Sequence, residues 1–240
     1  MTYGDLPIDL GKFDINWNEN CFYLYLPIKM AGSMSIKIPD RLKIFNPLIN
    51  KTLSRILGTE INNTEWYRLI SRYESSFSKE RHDSLIGRYL YLTVKHFLVN
   101  PAFWGQRGGA HCDGFGTNDI NWIWYDENPT EFNTGPFTDI SEHEHKSLKQ
   151  FEAKWNDKNT VTYPEKHLLE LTPFVVHRVA RVTRYMMRTF VKISLSEHKY
   201  NLVGNSHNYL FDYKWEMHDR QVLRNKTHNN NQDYVPDDIA

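Results

Sequence analysis

Hydrophobic and polar positions follow two rhythms along this 240-residue chain, and the changeover falls near residue 100. In the first part, helical spacing alternates with short strand-like runs. "NCFYLYLPI" alternates and is rich in aromatic residues, so it reads as a strand, and "SMSIKIP" reads as another. "NPLINKTLSRILG" places apolar residues one helical turn apart and ends in Gly58, a natural C-cap. "SFSKERHDSLIGRYLYLTVKHFLVN" is the longest pattern read as helical, with Leu85, Ile86, Leu90, Leu92, Val94 and Leu98 facing a core or sheet.

Beyond residue 100 turn residues multiply and period-2 stretches take over. "INWIWYD" and "MMRTFVKISLS" predict strands. "SEHEHKSLKQFEAKW" predicts an inserted helix with Ser141 as its N-cap. "LLELTPFVVHRVARV" and "YMMRTFVKISLS" read as two strands joined by a turn near Thr183-Arg184. From about Arg224 the chain is polar and Asn-rich, the composition of a flexible tail. The pattern predicts one α+β domain over residues 1–223. Its helical or mixed support (1–100) packs on a β-sandwich or barrel core (about 100–223), and 224–240 form the tail.

Composition narrows the function. An apolar share of 40% can fill a core. Lys+Arg and Asp+Glu both total 29, and a net charge of zero argues against broad phosphate-backbone binding. Nucleic acid is therefore not an expected partner. No apolar run reaches membrane-span length, and the first residues do not start a signal peptide. Cys21 and Cys112 make no disulfide framework, which points to a reducing, cytoplasmic setting.

The candidate chemistry starts at "GGAHCDGFG". With eleven histidines in the chain, a His-x-Asp arises easily by chance. A strand, however, puts positions i and i+2 on one face. His111 and Asp113 would then offer an imidazole and a carboxylate to one ion, while Cys112 packs on the opposite side. A third ligand from another strand would complete a two-histidine, one-carboxylate face, which suits Fe(II) and leaves positions open for substrates. If a keto acid supplies electrons there, its far carboxylate needs a cation, and arginine's planar fork fits best. His177 in "FVVHRVARV" shares a face with Val175 and Val179. Arg188 follows eleven residues later and shares a face with Phe190, Lys192 and Ser194. Antiparallel pairing of these two strands would hold the cation one short hairpin from the metal.

These residues resemble the Fe(II)- and 2-oxoglutarate-dependent dioxygenases, whose signature is His-x-Asp/Glu, a later His, and Arg or Lys on the next strand. "HRVARVTRYMMR" is locally similar to prolyl-hydroxylase-type members, with one extra residue before Arg188. The resemblance covers roughly residues 105–196. It implies a double-stranded β-helix, a jelly-roll or cupin-like barrel. It implies that His111, Asp113 and His177 form the catalytic metal site for Fe(II), and that Arg188 anchors 2-oxoglutarate, with Arg184 and Lys192 as alternative anchors. O2 is the second co-substrate, and succinate and CO2 are released. Related halogenases carry a small residue at the carboxylate position, so Asp113 favours hydroxylation. Asn121 and Tyr125 on the strand after Asp113 are further cofactor contacts, with Lys192 and Ser194 beside them.

Other residues are open to two readings. Trp122 and Trp124 fit a core better than a site. Arg107 either meets an acidic substrate group or is a solvated loop residue. His143 and His145 fit a solvent-exposed helix start. "GNSHNYLFDYKWEMHD" either closes over the barrel mouth, bringing His207, Asn208 or Trp215 to substrate, or straps the fold. The expected substrate is a small molecule such as an amino acid or biosynthetic intermediate. The alternatives are a protein side chain or nucleic-acid base, a non-catalytic jelly-roll binding protein, and a zinc hydrolase.

Overall fold

A computed structural model describes residues 1–61, 84–105 and 108–219. Two antiparallel sheets organise them. The larger has the order β1 (Ile8–Lys12), β8 (His167–Leu171), β5 (Ile120–Tyr125), β10 (Met186–Ser196), β3 (Tyr89–Val99), β2 (Cys21–Lys29). The smaller has the order β4 (His111–Cys112), β9 (Val176–Val179), β6 (Thr130–Asn133), β7 (Thr160–Thr162). Ile123, Tyr125, Leu169 and Leu171 of the larger sheet pack with Phe132 of the smaller, so the inner faces meet. Among the described residues no strand pair joins the two sheets into a closed barrel. The architecture is mostly antiparallel β with few helices, compatible with a β-sandwich or cupin-like fold.

β10 is the spine of the larger sheet. It pairs with β3 from Met186↔Val99 to Ser196↔Tyr89, and with β5 from Phe190↔Tyr125 to Leu195↔Ile120. Its alternation sends Val191, Ile193 and Leu195 outward, where Trp122, Trp124, Leu90, Leu92 and Val94 continue the apolar surface. Helix α1 (Asn46–Leu57) covers that surface with Leu48, Ile49, Leu53 and Leu57. Gly58 ends α1 at φ 67°, a left-handed conformation that glycine adopts without Cβ strain, and its N–H donates to Ser54 O. α2 (Glu144–Lys154) closes the other side, where Phe151 packs with Tyr3, Cys112, Phe137 and Val176. No helix of the described residues is long and apolar enough to cross a membrane.

Several local expectations change. The stretch expected to be a long helix is strand over Tyr89–Val99; its residues 76–83 lie outside the described residues. Leu90, Leu92 and Val94 are buried at period 2, whereas Leu98 is 48% exposed. Backbone pairing with both β10 and β2 decides the conformation over the helical count. "SMSIKIP" forms no strand and contributes one bridge, Lys29↔Ile36. Ser141 is not the N-cap of α2. His143 holds that position without a side-chain bond, and Ser141 Oγ accepts from His143 N instead.

The largest change concerns the two strands expected to form a hairpin. "LLELTPFVVHRV" is broken by a turn at Thr172-Pro173, closed by Val175 N donating to Thr172 O. β8 and β9 then enter different sheets, and β9 does not pair with β10. The cations of β10 therefore face the histidines across the gap between sheets. The tail expected from Arg224 lies outside the described residues.

Candidate metal centre

The short pairing of β4 with β9 builds the site. It sets His111 directly opposite His177, which in an antiparallel ladder places both side chains on one face. Their ring centroids are 4.5 Å apart. The flanking residues fall on the other side: Cys112 and Val176 are buried together in the cluster under α2, as the alternation predicts. Burial pushes the Cys112 thiol well above its ordinary value, so it packs as an apolar group. Both cysteines are unpaired.

Asp113 follows β4 directly, and Gly114 at φ 75° turns the chain. A Cβ there would sit 3.0 Å from Asp119 Cβ, so the turn needs glycine. Asp113 Oδ2 comes within 3.5 Å of His177 Nε2. The ligand atoms of His111, Asp113 and His177 all lie within 4.8 Å of one another, and the group could hold a metal ion. The backbone also sets the tautomers. His111 Nδ1 lies 2.9 Å from Gly109 O and His177 Nδ1 3.1 Å from Val175 O. A carbonyl can only accept, so each Nδ1 is the donor, and the neutral form of each ring would offer its Nε2 lone pair to a metal.

Lys192 reaches this group from the larger sheet. Its Nζ is 3.1 Å from Asp113 Oδ1 and 3.1 Å from the Tyr25 hydroxyl. The two carboxylate oxygens are thus divided: Oδ1 faces Lys192 and Oδ2 faces His177. Burial opposes charge on Asp113, but Lys192 and the two histidines outweigh it and hold the carboxyl well below its usual range. Burial likewise opposes charge on Lys192, and Asp113 and Tyr25 overcome it, raising its pKa. Tyr25 sits at φ 47° in β2, within the register irregularity between Tyr23 and Leu26, with its N–H donating to Thr93 Oγ1. A bulky residue in that region costs on the order of 1–3 kcal/mol, which the surrounding contacts must offset.

Arg188 lies four residues, about 13 Å, back along the same face of β10. It is 3% exposed. Its Nε donates to Glu127 O and Asn128 O at 2.8 and 3.3 Å, and its guanidinium stands 5.2 Å from the Phe190 ring centroid. Its Nη2 is buried and has no hydrogen-bond partner among the described residues. Burial pushes its pKa down to about 10, which leaves it charged at neutral pH. Arg184, by contrast, is exposed and paired with Glu127.

The remaining expected residues fall in different places. Tyr125 lies beside Arg188, 6.0 Å from its guanidinium, with its hydroxyl donating to Tyr163 O. Asn121 and Ser194 satisfy each other at 2.6 Å, on the far side of Lys192 from Arg188. Trp122 and Trp124 face α1, bonded through their indole N–H to Glu170 and to Phe13 O and Lys166 O. Asn208 is a strap residue: its buried amide donates to Pro27 O and Lys37 O. His207 and Trp215 line a cavity of about 270 Å³ with Tyr200 and Tyr213. His143 is exposed and His145 half-buried at the start of α2, and neither belongs to the metal group. Arg107 lies outside the described residues.

The sequence reading missed Tyr25. Its contact to Lys192 spans 167 positions. The local signal available was an aromatic alternation interrupted near Pro27, which marks a bulge but names no partner.

No family model matches the chain, and no curated protein matches it. Among solved structures, the crystal structure of EvdO2 from Micromonospora carbonacea var. aurantiaca is similar to 65% of this chain at 10% identity, with a TM-score of 0.31. The match spans 64% of that chain's own length. At that level the likeness carries no inference about fold or function.

Proposed function

We propose that this chain is an Fe(II)- and 2-oxoglutarate-dependent oxygenase that hydroxylates a C–H bond of a small molecule. One observation carries the reading. Across the gap from His111, Asp113 and His177, on the face of β10 that also carries Lys192, lies Arg188, a buried guanidinium whose Nη2 lacks a partner among the described residues. An unpaired buried donor is costly, and a carboxylate would satisfy it. A zinc hydrolase accounts for the three ligands but leaves Arg188 without a role. A non-catalytic jelly-roll module accounts for neither. The double-stranded β-helix belongs to the same reading, supported by the two facing antiparallel sheets.

When bound, Fe(II) and 2-oxoglutarate supply the oxidising chemistry, with O2 consumed and succinate and CO2 released. The chain's own residues do the rest. His111 and His177 present Nε2 because Gly109 O and Val175 O hold Nδ1. Lys192 keeps Asp113 ionised and occupies Oδ1, so that Oδ2 is the oxygen offered to the metal. Arg188 receives the distal carboxylate, with Tyr125 alongside. Phe190, Phe132 and Ile123 line the inner face and exclude water. The balanced charge of the chain fits a small substrate better than a polyanion.

Anaerobic titration with Fe(II) and then 2-oxoglutarate tests this, read by the visible charge-transfer band of the chelate and by succinate formed on admitting air. His177→Ala should abolish the band, and Arg188→Ala should weaken 2-oxoglutarate binding while iron still binds. Tight Zn(II) binding with no 2-oxoglutarate binding would overturn the proposal.

A further inference from the structure

A continuous run of aromatic rings leads away from the metal group. Tyr25, whose hydroxyl meets Lys192, stands edge-on to Tyr200 with ring centroids 5.0 Å apart. Tyr200 stacks on Tyr91 at 4.2 Å and 11°. Trp215 lies 6.5 Å from Tyr91 and 4.6 Å from Tyr213. Tyr200, Tyr213 and Trp215 all line the 270 Å³ cavity, beside the exposed His207. Hydrophobic packing alone would account for stacked rings. It does not account for the carboxylate bonded to one of them: the Tyr200 hydroxyl donates to Asp119 Oδ2 at 2.5 Å, and Asp119 is 5% exposed.

The polar partners rank the rings. Tyr25 faces the Lys192 ammonium, which disfavours loss of an electron there. The Tyr91 hydroxyl donates to His198 O, a carbonyl that cannot take a proton. Tyr200 alone of the three has a carboxylate in line with its O–H bond.

We propose that Tyr25, Tyr200, Tyr91 and Trp215 form an electron relay that drains an oxidant from the metal centre to the surface when no substrate takes it. The proposal rests on iron at His111, Asp113 and His177, and does not require 2-oxoglutarate. An oxidant formed at the iron from O2 or peroxide accepts one electron by way of Tyr25. Tyr200 supplies that electron; its O–H bond breaks, and the proton passes to Asp119 Oδ2. A neutral tyrosyl radical and a protonated carboxyl result. An electron then returns through Tyr91 and Trp215 from a small reductant of the ascorbate class at the cavity, and the proton returns from Asp119. The relay protects the ligand histidines from oxidation.

Iron-loaded full-length protein, mixed with hydrogen peroxide without substrate and freeze-quenched, should show a tyrosyl radical by electron paramagnetic resonance. Tyr200→Phe, which keeps the ring stack, should lose that signal. Asp119→Asn keeps an acceptor but cannot take the proton, and should diminish it at unchanged iron content. Trp215→Phe should lengthen the radical's life and blunt its quenching by ascorbate. An unchanged signal in Tyr200→Phe, or no radical although iron is bound and peroxide consumed, overturns the relay, as does failure to bind iron at all. Succinate formation with 2-oxoglutarate in a parallel sample judges the oxygenase reading separately. A radical without succinate would leave the relay standing and sink that reading.

Discussion

The two faces of β10 are made by alternate residues of one strand, yet they are stabilised by opposite physics. On the face toward α1, Val191, Ile193 and Leu195 are buried among Trp122, Leu90 and Leu92, and shape and apolar area decide the fit. On the face toward the smaller sheet, Arg188, Lys192 and Ser194 are as deeply buried, and each depends on a named partner. The first face needs no particular side chain so long as volume is kept. The second is specified group by group, and one of its groups, Arg188 Nη2, is left without a partner among the described residues. A buried donor of that kind is uncommon in a folded protein, and the proposed carboxylate ligand would satisfy it.

That contrast can be broken or sharpened by four measurements. Ile193→Ala should have the largest effect on stability, about 4 kcal/mol by denaturant titration, because it empties a fully buried site. Metal affinity of the folded fraction should not change. Lys192→Ala should cost the metal-free protein about 3 kcal/mol, since it leaves the Asp113 charge buried without its partner. The loss should shrink when a divalent metal is added, because the metal then faces the carboxylate, and it should shrink in Lys192→Met combined with Asp113→Asn. An equal loss with and without metal would show that Lys192 is a packing residue like Ile193. Tyr25→Phe should cost about 1 kcal/mol and lower metal affinity by up to about tenfold, by freeing Lys192 on one side. Isothermal titration would register the second effect. Arg184→Ala should shift stability by less than about 0.5 kcal/mol, as its pair with Glu127 is exposed. It should leave 2-oxoglutarate affinity unaltered, which would separate it from Arg188.

The pH course of the Lys192–Asp113 pair follows from its shifts. Asp113 is held below its unfolded value, so its share of stability is present above about pH 4 and is lost as pH falls through the folded value. Lys192 is raised, so its share is present below about pH 10 and is lost only above that. Between those limits the pair's contribution should be flat in the metal-free protein.

Sequence by itself determined the members of the candidate metal group and some of the fold. Period-2 alternation put His111 with Asp113, placed His177 opposite Val176, and gave Arg188, Lys192 and Ser194 one face, because alternation is a property of each strand alone. Gly58 announced the end of α1 for the same local reason. The tertiary structure decided what those faces meet. Leu85 to Val99 had enough helical spacing to mislead, and only the ladders to β10 and β2 made most of it a strand. The turn at Thr172-Pro173 takes the chain from β8 into the smaller sheet, so His177 and Arg188 lie in separate sheets and not along one hairpin. Lys192, open in the sequence as a cofactor anchor, lies against Asp113 through a contact 79 positions apart, and Tyr25 completes it from 167 positions away. No local period encodes such separations. They arise only when two sheets, each satisfied in its own backbone, close on a shared inner face.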